Sequence, residues 1–302
     1  MLTALEAWAQ RFPAMGGARL KSMARSCAAA CEGASDDSVL QLAVFCMILF
    51  GIDDLGDRAL APLPDEEIDQ QLGQLEAIVA AGGTSSFEPP VGAPGQVFRA
   101  LSGFCRDLST RQPAYRLFAR HLVGMLRGMR EELAMSRAFS TRGELPGWDA
   151  YVELGTRTVG IPPVGAVMLA LRGPAEALDS ARAERAVEQL LLAAGRCIRF
   201  ANDLRSYARE VFEGKPNSVS LQLRALACTE VEARAVVAAA RDAEDRALPA
   251  LVAALPLELL PWGQSFHRHT SFIRDWYAIA ELHDEVPHFK EGSSVLTTEG
   301  AS

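Results

Sequence analysis

Apolar residues recur at helical spacing along almost the whole chain, and the two-residue alternation of a half-buried strand is hard to find. Asp36 or Asp37 is placed to cap a helix with apolar positions at Leu40, Val44, Met47 and Ile48, running on to Asp57. The stretch from Pro62 to Pro64 breaks the pattern. Asp65-Glu66-Glu67 opens another helix that ends near Gly82-Gly83. Residues 82–94, rich in Gly, Ser and Pro, form a loop. The pattern then predicts helices over 95–110, 113–139, 147–171 and 175–212, a loop holding Gly214, Pro216 and Asn217, and helices over 218–226, 229–254 and 258–284. From about 285 the chain is polar and reads as a loose tail. No repeat of fixed period and no long linker divides it. The expectation is one all-α domain over 1–302, a bundle of about ten helices. Two small bundles joined at 82–94 are the alternative.

Composition sharpens this picture. Of the 302 residues 49% are hydrophobic, with Ala and Leu dominant, so the chain buries a large core without disulfide or metal staples. The net charge of −8 argues against nucleic acid and anionic membrane as partners, since both demand basic patches. The basic residues are almost all Arg, and Lys215 is one of few lysines. None of the six cysteines forms a C-x-x-C pair and most sit in apolar stretches, which fits buried thiols in a reducing cytosol. The runs Leu42–Ile52 and Val159–Leu171 fall short of the ~18 apolar residues of a membrane span. The stretch Met1–Glu6 lacks a basic segment leading into an apolar block, so a cytoplasmic protein is expected.

Two constellations carry chemistry. Asp53, Asp54 and Asp57 follow the apolar run Phe45 to Ile52. They stand at the C-terminal end of a helix, where the dipole is partially negative and favours cations. Their mutual repulsion adds to the cost, and a divalent cation offsets both. Asp53 and Asp57 share a face, with Asp54 beside them. Oxygen donors in a loose group suit Mg²⁺, which keeps several waters and completes its shell from substrate phosphates. Taken alone, the group also reads as a solvated acidic helix end. The second constellation is Asn202, Ser206 and Glu210, at i, i+4 and i+8. At about 100° per residue they make one stripe roughly 80° wide. An amide oxygen, a hydroxyl and a carboxylate are again hard-cation donors. Alone they also read as an ordinary polar face, with Glu210 paired to Arg205 or Arg209. Two such motifs on facing helices would clamp a diphosphate and draw charge off it as it leaves.

The pair D-D-x-x-D and N-D-x-x-S-x-x-x-E, about 150 residues apart, resembles the bacterial class I terpene synthases over roughly 40–285. The resemblance implies a helical bundle around a central apolar cavity. It implies three Mg²⁺ ions that bind an isoprenoid diphosphate, whose ionisation leaves an allylic carbocation. The cation rearranges, then loses a proton or captures water. Asp53 becomes the principal ligand of two ions, with Asp54 and Asp57 as weaker partners, while Asn202, Ser206 and Glu210 hold the third. Lys215, in Gly214-Lys215-Pro216-Asn217, is an implied diphosphate contact, and Arg205 is another candidate that reads equally as part of a surface salt bridge. The family's diphosphate-sensing Arg falls at Gly155, so either Arg157 two residues on replaces it or the sensor is missing. The break at Gly160 to Pro163 fits the family's kinked helix, with Thr158 and Val159 where the carbocation is steered. The family's C-terminal Arg-Tyr pair is replaced by His283-Asp284, so His283 or Arg274 stands in for it.

These departures, with the short region before Asp53, are similar to the bacterial labdane-related diterpene synthases, such as the ent-kaurene synthases. That implies a bicyclic copalyl-type diphosphate supplied by a separate class II diterpene cyclase, since the chain has no D-x-D-D motif. A direct cyclase of geranylgeranyl or farnesyl diphosphate is the runner-up, and a homodimer is a further implication. Among the aromatic residues, whose ring faces stabilise cations, Phe50, Trp276 and Tyr277 are the first candidates to line the cavity. Phe45, Tyr151, Phe200, Trp262 and Phe266 read mainly as core, and His267-Arg268-His269 as surface or helix-end polarity. Two other functions compete. A chain-elongating prenyltransferase would show a second aspartate-rich motif in place of Asn, Ser and Glu. A non-catalytic helical scaffold would not need both motifs complete.

Overall fold

A computed structural model describes residues 1–17 and 19–280, without the side chains of residues 57, 58, 175 and 176. In chain order the helices are α1 (Leu2–Arg11), α2 (Arg19–Ala30), α3 (Asp36–Asp54), α4 (Asp65–Ala80), α5 (Gly92–Leu108), α6 (Ala114–Arg142), α7 (Trp148–Thr158), α8 (Ile161–Arg172), α9 (Ala181–Glu213), α10 (Ser218–Leu226), α11 (Glu230–Ala253) and α12 (Leu260–Ile279). Among the described residues there is no strand, as the spacing predicts.

The helix starts follow side-chain capping. Ser35 Oγ accepts from Ser38 N at 3.2 Å and opens α3, one residue ahead of the expected Asp36, which with Asp37 fills the first turn. Ser180 Oγ accepts from Ala183 N at 3.1 Å. That cap starts α9 at Ala181, after a short 3₁₀ turn at Ala175–Asp179 where the pattern predicts helix already. Thr229 and Glu232 form a reciprocal capping box at the head of α11. No helix is predicted ahead of Asp36, yet α1 and α2 occupy that stretch. Their buried positions are partly small residues such as Ala9, Ala24 and Ala30, which give a weak apolar pattern.

One apolar core runs from Leu5 on α1 to Ile273 on α12, and a smaller group of Phe200, Val219, Ala233 and Val237 sits under α10 and α11. Every residue from Ile161 to Leu171 on α8 is buried. The run Trp148–Arg172 is apolar enough in composition to cross a membrane, but 89% of its apolar window is buried inside the molecule. It is also broken at Gly160, whose φ of +76° L side chains rarely adopt. It is the central core element, packed against α3, α6, α9 and α12. All six cysteines are free thiols, five of them buried.

Close approach to α8 depends on Gly165. A Cβ there would stand 2.3 Å from Leu191 Cδ2 and 2.7 Å from Phe266 Cε2. Trp262 Nε1 donates to the Gly165 carbonyl at 3.0 Å, which fixes α12 against α8. Gly165→Ala should therefore overpack the core and cost about 1–3 kcal/mol in chemical denaturation. An unchanged or raised midpoint would show that α8, α9 and α12 do not pack this tightly.

Candidate active site

The apolar stretch of α3 delivers Asp53 and Asp54 to the end of the helix. The α-helix then gives way to a π-helical segment, Leu55–Leu60, where the sequence predicts plain helix to Asp57. Such wide turns are inserted where a chain must re-aim side chains. Asp54 accepts from Arg19 of α2, Nη1 to Oδ2 at 3.0 Å, and the same guanidinium lies 5.0 Å from the centre of the Phe50 ring. The Asp57 side chain lies outside the described residues, and so does His283.

On α9, Asn202, Ser206 and Glu210 form the expected stripe. Ser206 is fully buried and its hydroxyl donates to the Asn202 carbonyl at 2.9 Å. Glu210 is 9% exposed and accepts from Asn217 Nδ2 at 2.8 Å. The same amide donates to the Asp203 carbonyl at 2.9 Å, while Asn217 Oδ1 accepts from Val219 N and caps α10. Gly214, at φ +68°, turns the chain out of α9 and makes this return possible. Burial and the neighbouring Asp203 charge push the Glu210 carboxyl up to about 7.

Two adjoining cavities meet at these motifs. The first is mainly apolar, with an empty volume of about 900 Å³ including its opening, walled by residues such as Leu49, Met125, Ile161, Val164, Ile198 and Ile273. The second is polar and larger, about 1390 Å³ on the same measure, and holds Arg209, Glu210, Glu213 and Lys215. Asp53 and Asn202 line both, so the two motifs do face each other across one space. Phe50, Thr158, Val159 and Tyr277 line the apolar cavity.

Glu132 of α6 and Arg199 of α9 also line both cavities, and neither stands out in the sequence. Arg199 is 14% exposed; its Nε lies 3.0 Å from Asp203 Oδ1 and its Nη1 donates to Glu132 Oε1 at 3.1 Å. Its Nη2 donates to the Tyr151 hydroxyl, which donates in turn to Asp203 Oδ2 at 3.0 Å. Burial opposes the Arg199 charge, yet Asp203, Tyr151 and Glu132 together hold the guanidinium well above its ordinary pKa. Burial also pushes the Tyr151 phenol up, so it stays a donor. The Arg199 stem fills the space over Gly155, where a Cβ would meet its Cδ and Nε at 2.7 Å. Glu132 Oε1 further accepts from Thr158 Oγ1 at 2.7 Å, so one carboxylate joins Arg199 to the wall of the apolar cavity.

The remaining candidates lie elsewhere. Arg157 points away from both motifs: its Nη2 donates to Glu131 Oε2 at 2.7 Å, beside a different cavity near His121 and Glu188. Two residues from Gly155 on a helix is a turn of about 200°, and that puts Arg157 on the opposite face. Arg205 is exposed and three residues from Asn202, on a flank with Arg241 and Arg274. Arg274 is engaged by Asp245 and by Asp275. Trp276 is buried against Phe272 rather than among the cavity walls. Lys215 does line the polar cavity, with Nζ 3.1 Å from Glu213 Oε2. The Phe45, Trp262 and Phe266 rings are core packing, as expected. His269 is 2% exposed and lines the apolar cavity, which overturns the surface reading for this residue, while Arg268 beside it is exposed as expected.

Solved structures with the same architecture include germacradien-4-ol synthase from Streptomyces citricolor, at 19% identity and TM-score 0.68 over 91% of this chain and 90% of that one. Linalool/nerolidol synthase from Streptomyces clavuligerus in complex with 2-fluorogeranyl diphosphate matches at 16% identity and TM-score 0.69, over 91% and 96%. Hedycaryol synthase in complex with nerolidol matches at 16% and 0.65, over 91% and 92%. These likenesses establish the fold. A search of curated protein sequences finds no match. The family model for terpene synthase family 2, C-terminal metal binding, matches residues 44–244, a span that holds both motifs and the Arg199 junction. The chain therefore belongs to terpene synthase family 2, and it is a class I terpene synthase.

Proposed function

We propose that the enzyme ionises a bicyclic, copalyl-type diphosphate and steers the carbocation to a diterpene hydrocarbon or alcohol. The observation that carries the site is Asp53 and Asn202 on facing walls of an apolar cavity that opens into a polar one. What supports the bicyclic substrate is Gly155 in place of a sensing Arg, the departure that this chain shares with the labdane-related enzymes. A linear diphosphate is the second reading, favoured by the 2-fluorogeranyl diphosphate bound to the structurally similar linalool/nerolidol synthase. In the first reading a separate class II cyclase supplies the substrate.

The donor set fits Mg²⁺. Asp53, Asn202, Ser206 and Glu210 offer oxygen alone. Among the described residues no three His, Cys, Asp or Glu side chains converge as a self-sufficient metal site, so the rest of a coordination shell has to come from diphosphate and water. The raised Glu210 carboxyl marks a surplus of buried negative charge that a cation relieves. Bound there, three Mg²⁺ would neutralise the diphosphate as it leaves. Asp53 and the α9 stripe would hold them. Arg199, three residues ahead of Asn202, takes the part of the sensing Arg from a different helix. Drawing its guanidinium toward the diphosphate loosens its hold on Glu132, and through Glu132 the position of Thr158 in the cavity wall. Phe50 and Tyr277 line this cavity, where aromatic rings would stabilise the cation.

Incubation with Mg²⁺ and copalyl, geranylgeranyl, farnesyl or geranyl diphosphate, followed by gas chromatography, tests the substrate. Product from the copalyl type alone is expected; product from a linear chain would establish the second reading. Asn202→Ala should abolish product with helical circular dichroism intact, and full turnover by that variant would sink the metal assignment.

Arg199→Lys should slow diphosphate release by about 10²–10³-fold, the cost of losing an aligned charge-stabilising donor. Arg157→Gln should stay within about 3-fold. The reverse order of effects would return the sensing role to α7.

Glu210 also sets a pH dependence. Its folded pKa of about 7 lies above the ordinary 4.5, so the folded state keeps a proton that the unfolded chain releases. The resulting stability is full below pH 4.5 and drains away as pH rises through 7, by about 3 kcal/mol in all. In EDTA the Tm of the wild type should fall between pH 5 and 8 more than that of Glu210→Gln. Parallel curves for the two proteins would contradict a buried, charge-strained Glu210.

A further inference from the structure

The apolar cavity contains one group that the mechanism above leaves unused. His269 sits on α12, one turn before Ile273, and its ring lines the cavity while only 2% of the residue is exposed. Across from it on α2, Ser26 is fully buried, and Ser26 Oγ lies 3.5 Å from His269 Nδ1. Among the described residues Ser26 is the ring's one hydrogen-bond partner, and Nε2 is not among the atoms sealed in the interior without a partner, so it keeps contact with the cavity space. A polar nitrogen that meets the space of an apolar cavity is placed to interact with whatever occupies it. An imidazole of fixed tautomer carries a lone pair on one nitrogen only, and the partner of the other nitrogen decides which.

We infer that His269 is the base that ends the reaction: Ser26 Oγ accepts from Nδ1–H, and Nε2 takes the proton released when the carbocation collapses to an alkene. The inference rests on the terpene synthase reading above. In the step, the electron pair of a C–H bond next to the cationic carbon becomes the new C=C bond. The proton forms an Nε2–H bond, and imidazole becomes imidazolium. The imidazolium then returns its proton to diphosphate or water as product leaves. Burial pushes the His269 pKa down to about 4, so the ring is neutral near pH 7 and does not repel the incoming cation. A carbocation is a far stronger acid than any imidazolium, so a weak base suffices. Met23, Cys46 and Ile273 line the same cavity and carry no formal charge.

Two measurements test this. The first compares wild type with His269→Phe and His269→Gln, using the substrate accepted from the panel above. Diphosphate release and hydrocarbon products are quantified separately. Release should stay within about 3-fold of wild type, because ionisation happens at the metal motifs. The alkene ratio should shift at least 5-fold, toward other double-bond isomers or alcohol. Ser26→Ala should shift it in the same direction by less. An unchanged product ratio with normal release in both His269 variants overturns the inference and leaves the terpene synthase reading standing. No release by wild type from any of the four diphosphates removes both. The second measurement needs no variant to turn over. Long-range ¹H–¹⁵N correlation spectra of ¹⁵N-histidine-labelled wild type, assigned by the peak lost in His269→Gln, should show the Nδ1–H tautomer. The Nε2–H tautomer overturns the inference, since that nitrogen would then have no lone pair to give. If neither variant folds, a buried histidine signal of Nε2–H form in the wild type overturns it equally, and one of Nδ1–H form supports it.

Discussion

The ion pair between Arg199 and Asp203, 3.0 Å apart and one turn from each other on α9, is the contact on which the site is built. Asp203 is wholly buried and Arg199 nearly so. Removing two such charges from water costs several kcal/mol each, and their attraction offsets this only where further hydrogen bonds complete the geometry. Here the completing groups come from other helices. Tyr151 of α7 donates to Asp203 Oδ2, Ser218 N at the head of α10 donates to the same oxygen at 3.2 Å, and Glu132 of α6 accepts from Arg199. Satisfying one buried pair thus fixes how α6, α7, α9 and α10 sit around it. The stripe of Asn202, Ser206 and Glu210 is positioned as a consequence, because it lies within the same stretch of about three turns of α9.

That constraint explains features that look unrelated along the chain. Gly155 has no side chain because the Arg199 stem occupies that volume. Gly128 is bare for a similar reason on α6, where a Cβ would stand 2.6 Å from Thr158 Cγ2. Close contact there lets Thr158 reach Glu132. Asn217 is buried after the α9 turn because its amide has to satisfy both the Asp203 carbonyl and Glu210. Each is a residue whose local role makes sense only once the buried charge pair is in place.

The helical fold and the two motifs were legible in the sequence, for reasons that are physical. Asp53 and Asp54 close an apolar helix with charge of the wrong sign for its dipole, and the 202–206–210 spacing needs only the helical repeat. The parts that were not legible depend on how helices cross. Arg199 is one arginine among Arg196, Arg205 and Arg209 on the same helix, and nothing in their order says which one meets Glu132 across the cavity. Arg157 is close to Gly155 in sequence but on the other face of α7, so sequence proximity misleads there. His269 is different, because its position could have been read. It lies three residues after Phe266 and four before Ile273, on the apolar stripe of its helix, and the exposed Arg268 beside it hid that periodicity.

The distribution of charge between the two cavities is itself a mechanism. Formal charges occur at the boundary, at Asp53, Glu132 and Arg199, and in the polar cavity beyond it. The walls that belong to the apolar cavity alone carry none. A fixed anion there would trap a carbocation as an ion pair or be alkylated by it, and a fixed cation would oppose its formation in a low-dielectric space. Neutral groups with modest polarity, the Thr158 hydroxyl, the Phe50 and Tyr277 rings and an uncharged His269, avoid both. In the proposed reaction ionisation would be driven from one side, by the oxygen donors of the two motifs and Arg199. The fate of the cation is decided on the other, by neutral side chains whose positions the Glu132 link ties to the charged side.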